Sequence, residues 1–224
     1  MIMASTGDIS IHPPLEGEWK FLRPPGHHPY AFDFVQLGNN KTSSHSEATL
    51  RFFVNKISSD KFYCWSKPVY APIEGTVIRV GNGWQDHEYT NIWKTIRIWY
   101  NATYRFRPKE ENGRLDIRPN AGNHVMIKAK EGYIVFLAHL KNQSILVSEG
   151  QQVRQGEVIG MVGNSGNSTA PHLHINLFDQ MENPFESKVL PFVFSRYDSL
   201  NSEGQWITYT SSVPKVGALV RFNA

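Results

Sequence analysis

Apolar residues recur along this chain with a period of two, in short runs cut by glycine and proline. Leu173-His174-Ile175-Asn176-Leu177 shows the pattern most clearly. Successive side chains of a strand face opposite ways. Leu173, Ile175 and Leu177 therefore form an apolar face, and His172 and His174 share the wet one. Phe32-Asp33-Phe34 repeats the pattern, with Asp33 turned away from two aromatics. Tyr133 to Leu140 is apolar almost throughout, as expected of a central strand, and carries His139 near its end. Asn123–Lys128, the second half of Val69–Val80 and the pieces of Gly150–Gly160 read as further short strands between turns. Ile92–Tyr100 is rich in β-branched and aromatic residues and is expected to be a strand as well. No long amphipathic helix and no heptad pattern is visible. The class predicted is all-β: a compact sandwich or barrel of short antiparallel strands.

The remaining stretches are punctuation. Pro13, Pro14, Gly17, Pro24, Pro25, Gly26 and Pro29 predict an irregular N-terminal segment. Residues 38–47 read as a loop with His45 in solvent, and Arg105–Arg114 as an exposed charged insertion. Gly163-Asn164-Ser165-Gly166-Asn167-Ser168-Thr169-Ala170-Pro171 is small and polar, a tight loop leading into the two histidines. The tail holds Phe185, Phe192, Phe194 and Tyr197 and is expected to pack on the same body. The expectation is a single domain over 1–224 with its core at about 70–178. Segment 1–37 leads up to Asp33, 81–121 is an insertion and 179–224 an extension.

Composition narrows the chemistry. Of 224 residues 40% are hydrophobic, enough for a core, and the net charge of +3 is too weak to argue for nucleic acid. No run approaches the ~18 apolar residues of a membrane span. The first residues show no secretory signal pattern. Cys64 is the single cysteine, so thiolate-rich metal sites and internal disulfides are excluded. A metal site must then use His, Asp or Glu. The candidates among the 9 histidines are His27 or His28, His139, His172 and His174, with Asp33 as the carboxylate. A catalytic zinc takes three protein ligands and keeps one position open. One Asp and two His would supply that and leave two imidazoles for proton transfer near neutral pH. Other hydrolase signatures are absent: His87-Glu88-Tyr89-Thr90-Asn91 lacks the second histidine of a helical zinc motif, and there is no Gly-x-Ser-x-Gly elbow.

The motifs together resemble the lysostaphin-type, or LytM-like, zinc endopeptidases. The resemblance is carried by Tyr30-Ala31-Phe32-Asp33-Phe34, Ala71-Pro72-Ile73-Glu74-Gly75-Thr76-Val77, Gly122-Asn123-His124-Val125, Ala138-His139-Leu140, Gly150–Gly156 and above all Gly163–His174. It implies a compact β core and one zinc per chain. It makes Asp33, His174 and a histidine upstream of Asp33 the ligands, and His139 and His172 the catalytic imidazoles. The implied reaction is hydrolysis of peptide bonds in peptidoglycan, in stem peptides or cross-bridges, which places the protein outside the cytoplasm. The alternative is a catalytically silent module of the same type that binds cell wall or activates another hydrolase. A lipoyl- or biotinyl-like carrier would leave the histidines unexplained.

One position departs from the family pattern. The usual histidine four residues before the aspartate is Pro29 here, so the ligand is His27 or His28. Strand parity favours His27, an even number of residues from Asp33. A bulge at Pro29 would favour His28 instead.

Overall fold

The computed structural model describes residues 9–39, 41–47, 56–100, 109–111, 114–180 and 186–223. Among these residues eighteen strands, two short α-helices and one 3-10 turn, Ser59–Lys61, follow one another. The strands are β1 Ile9–Ile11, β2 Gly17–Leu22, β3 Phe32–Val35, β4 Ile57–Ser58, β5 Pro68–Tyr70, β6 Gly75–Gly81 and β7 Tyr89–Thr90. Helix α1, Ile92–Tyr100, comes next, then β8 Lys109–Glu111, β9 Arg114–Asp116 and helix α2, Arg118–Ala121. The rest are β10 Asn123–Lys128, β11 Ile134–Leu140, β12 Gln152–Val153, β13 Val158–Met161, β14 Leu173–Phe178, β15 Val189–Leu190, β16 Phe192–Leu200, β17 Trp206–Ser212 and β18 Leu219–Phe222. The all-β class expected from the alternating pattern is the class observed. Neither helix is long and apolar enough to cross a membrane.

Twelve strands form one sheet in the order β1-β16-β18-β2-β3-β14-β11-β10-β6-β12, with β15 beside β14 and β17 beside β16. Its pairings are antiparallel except β1 with β16. The tail therefore completes the sheet on the N-terminal side. Phe194 and Phe222 of the tail pack edge-on against Phe34, with centroids 6.0 and 5.6 Å away. Phe21, Phe32, Phe34, Leu137, Leu173, Ile175 and Leu177 share this core. Burial of such rings stabilises by about 2–3 kcal/mol each, which anchors β3 from behind and turns Asp33 to the opposite face.

Two expectations are corrected. Ile92–Tyr100 is a helix, not a strand. The Asn91 side chain accepts a hydrogen bond from the Lys94 N–H at 2.8 Å, an N-cap that satisfies an otherwise orphaned donor. Alternation of Ile96, Arg97, Ile98 and Tyr100 imitated a strand and hid this start signal. His45 is not in solvent either. It is half-buried, forms a β-bridge with Phe62 and sets its ring 5.4 Å from the Phe62 ring. Residues 101–108 and 112–113, which include six of the ten residues of the charged stretch, and Phe185 lie outside the described residues.

A second, smaller cluster joins Ile117, Ala121, Met126, Ile134, Phe136 and Ala138 on the other face of β10 and β11. His124 is buried on that face, its Nδ1 2.9 Å from the Gly122 carbonyl. Burial pushes its pKa down to about 4, only partly offset by the bond to Gly122. Between about 6.5 and 4 the unfolded chain binds a proton that the folded chain does not. Stability from this group is thus present above pH 6.5 and is lost as pH falls, by a total of about 3 kcal/mol. Denaturant unfolding of the wild type and His124→Phe should show this. The wild type's stability relative to the variant should decline by that amount between pH 6.5 and 4, and a pH-independent difference would contradict it.

Candidate metal and catalytic centre

Three strands bring the site together in register. Asp33 of β3 lies directly opposite His174 of β14, and His174 lies opposite Ala138 of β11. The apolar neighbours of each residue face the main core, so Asp33, His174 and Ala138 share the other face. His172, just before β14, lies on the same side as His174.

His139 reaches this face by a different route. Simple alternation would put it with Val135 and Leu137 in the main core. The pairing of β10 with β11 instead jumps from Asn123–Leu140 to Val125–Leu137, so Ala138 and His139 together oppose His124. This is a β-bulge, and His139 adopts φ +61°, a left-handed conformation rare outside glycine. The extra residue returns Leu140 to the core and re-aims His139 at the site. Such strain costs on the order of 1–3 kcal/mol and persists only where surrounding contacts enforce it.

The 163–171 loop provides that enforcement. Gly122 and Gly166 meet back to back: a Cβ on Gly166, at φ +72°, would lie 2.2 Å from the Gly122 nitrogen. Only bare backbone allows this approach. Ser165 then donates to the Leu140 carbonyl at 2.7 Å and accepts from the Asn123 N–H at 2.9 Å. Its own carbonyl lies 2.9 Å from His139 Nδ1. Asp86 accepts from the N–H groups of Asn142 and Asn164 at 2.8 and 2.7 Å, tying the loop to the segment that follows β11. Sequence reasoning assigned nothing to Asp86 or Ser165, because both act through backbone partners far away in the chain.

Five polar side chains converge in a cleft of about 570 Å³. His174 Nδ1 is 2.8 Å from Asp33 Oδ1, His27 Nδ1 is 3.7 Å from the same oxygen, and His172 Nε2 is 3.5 Å from Asp33 Oδ2. The His139 ring sits 4.7 Å from that of His172 and 5.9 Å from that of His174. His27, Asp33 and His174 offer donor atoms all within 4.8 Å of one another. His28 is exposed, its Nδ1 accepting from the Tyr30 N–H at 3.2 Å. The strand-parity argument does not apply, since β3 begins only at Phe32. A turn places His27 instead: its N–H donates to the Pro24 carbonyl at 3.2 Å, and the Ala31 N–H donates to the His28 carbonyl at 3.0 Å.

Electrostatics follow from this crowding. Burial by itself would raise the pKa of Asp33, which is only 4% exposed, but His172, His174 and His27 more than offset it and hold the carboxylate ionised. Burial, then repulsion from His172 and His174, keeps His139 neutral well below its ordinary pKa. His27 is also lowered, mainly by burial. His172 Nδ1 lies 2.8 Å from the Ala170 carbonyl. Nδ1 of both His139 and His172 thus donates to backbone, which leaves Nε2 of each ring as the atom that can take a proton, that of His172 facing Asp33 Oδ2.

The donor set fits a metal. His27 Nδ1 is buried with no hydrogen-bond partner among the described residues, and a cation between His27, Asp33 and His174 would satisfy it. Two imidazoles and a carboxylate, without thiolates, match a catalytic zinc set with an open position.

Comparison with known proteins agrees with the motifs. Residues 111–186 match the model of peptidase family M23. Over 59 residues the chain is 46% identical to the peptidoglycan DD-endopeptidase ShyA of Vibrio cholerae, a match covering 26% of this chain and 13% of that protein. Over 53 residues it is 53% identical to the DD-carboxypeptidase/endopeptidase Mpg of Neisseria meningitidis, covering 24% and 12%. These matches span only a small part of either relative. Among solved structures, the catalytic domain of the antimicrobial peptidase lysostaphin from Staphylococcus simulans aligns at TM-score 0.40 and 16% identity, over 84% of this chain and 88% of that one. The match to the M23 peptidase model over residues 111–186, which hold His139, His172 and His174, bears out the resemblance read from the motifs.

Proposed function

We propose that this protein is a zinc-dependent endopeptidase that hydrolyses peptide bonds of peptidoglycan, acting outside the cytoplasm. The observation that carries the reading is the convergence of His27, Asp33 and His174 beside two further imidazoles whose Nδ1 atoms are tied to backbone carbonyls. The names of the relatives, peptidoglycan endopeptidases, supply the substrate class.

His27, Asp33 and His174 would hold the zinc. Bound there, it supplies Lewis-acid polarisation of the scissile carbonyl and lowers the pKa of water. The protein's own groups handle the protons. Water adds to the carbonyl carbon, the C–N bond breaks, and the amine leaves with a proton. Nε2 of one catalytic imidazole takes the proton from water, and that proton passes, directly or through Nε2 of the second imidazole, to the leaving nitrogen, which returns both rings to the neutral form. His139 suits this work because burial keeps it neutral, and the fixed Nδ1–H bonds hold both rings in the required tautomer.

Metal analysis of purified variants separates ligands from proton carriers. His27→Ala and His174→Ala should lose zinc, while His28→Ala should keep one zinc per chain. Retention of zinc by His27→Ala together with its loss from His28→Ala would reverse the assignment. His139→Ala and His172→Ala should keep zinc but release cell-wall peptides more slowly by a factor on the order of 10² to 10⁴. Near-normal turnover in His139→Ala would leave that residue a purely structural histidine.

A further inference from the structure

A second cavity, about 600 Å³, opens between α1 and the 163–171 loop. His87, Tyr89, Lys94, Arg97 and Gly166 are among its lining residues. Ile98 and Asn167 line both this cavity and the cleft that holds His27, Asp33, His139, His172 and His174. The two spaces are therefore neighbours that share walls. The shared wall is firmly built: the Asn167 N–H donates to the Asn120 carbonyl at 2.8 Å, and His87 Nε2 donates to the Gly166 carbonyl at 2.8 Å. The Thr90 hydroxyl adds a further bond to the Thr169 carbonyl.

Among the described residues, the charge lining this cavity is of one sign: Lys94 and Arg97 stand one turn apart on α1, neither forms an ion pair with a described residue, and no described aspartate or glutamate lines the space. Lys94 places its ammonium 4.4 Å from the Tyr89 ring centroid, and Lys56 approaches that ring at 4.1 Å. Burial, helped by Arg97 and Lys56, lowers the pKa of Lys94, and Glu88, exposed outside the cavity, opposes this. Two cations one turn apart beside an aromatic wall match a carboxylate on an extended ligand. Trp93, 73% exposed at the rim, offers an apolar face for the rest of such a ligand.

We propose that this cavity is a substrate subsite in which Lys94 and Arg97 bind a free carboxylate of the peptide whose scissile bond lies in the neighbouring cleft. It rests on the endopeptidase reading for the identity of the ligand. The helix that builds it belongs to the 81–121 insertion, so the insertion serves substrate selection. A peptide with that group amidated loses the charge and should be bound less well.

The test is equilibrium binding of uncross-linked stem tetrapeptides that differ only in having their carboxyl groups free or amidated. Being product-like, they report binding without turnover. The zinc-loaded wild type should bind the free acid about tenfold more tightly, as expected of charge-assisted contacts. Lys94→Gln/Arg97→Gln should abolish the difference while binding of the amidated peptide stays unchanged. Arg97 is exposed, so Arg97→Gln alone preserves the fold and should reduce the discrimination about threefold. Equal binding of the two peptides, binding of neither, or discrimination that survives the double substitution would overturn the subsite. Release of peptides from whole cell walls by the wild type tests the endopeptidase reading separately. A wild type that discriminates but does not cleave would reject that reading and keep the carboxylate site.

Discussion

A buried carboxylate with no lysine or arginine beside it among the described residues sets the terms for this structure. Asp33 lies deep on the polar face of the sheet and is compensated by imidazoles alone. An ionised group in that position is expensive unless opposite charge and hydrogen bonds surround it. His174 is paired with it by strand register, His172 by the same strand's approach and His27 by a turn. A divalent cation would complete the compensation, since it meets the carboxylate and the orphaned His27 nitrogen together. With a metal bound there, folding and metal binding would be linked: the aromatic core behind β3 fixes Asp33 in place, and the cation would make that placement tolerable.

The opposite wall of the cleft is built on strain rather than charge. His139 occupies a left-handed bulge that shifts the parity of β11 by one residue. The Gly122–Gly166 contact, Ser165 and Asp86 hold the loop against that bulge. The residues that make the His139 geometry possible are thus two glycines, a serine whose carbonyl holds His139 Nδ1, and an aspartate bonded only to the backbone of Asn142 and Asn164. The same loop forms one side of the neighbouring cationic cavity, so the proposed proton transfer and the proposed substrate selection would share one rigid support.

Much of this was legible in the sequence because it depends on alternation. Leu173, Ile175 and Leu177 announced a core face, and with it the shared direction of His172 and His174. Phe32 and Phe34 did the same for Asp33. What alternation does not encode was missed. The bulge at His139 breaks parity without leaving a glycine or proline to mark it. His27 was favoured for a strand it does not occupy, and the turn that places it depends on Pro24 and on Ala31. Helix α1 carries strand-forming residues, and its one clear signal is the Asn91 cap. His45 lies under a bridge to Phe62 that no local pattern foreshadows.

The central claim is that His27, Asp33 and His174 form one metal site, with His139 and His172 beside it. Diffraction from zinc-loaded crystals, recorded on both sides of the zinc absorption edge, tests it most directly. The account predicts one strong anomalous peak about 2.0–2.2 Å from a nitrogen of His27, a nitrogen of His174 and an oxygen of Asp33. His28 should remain away from it, and His139 and His172 should face it without ligating it. A peak held by His28, a peak elsewhere on the protein, or no peak in folded zinc-saturated crystals would contradict the account.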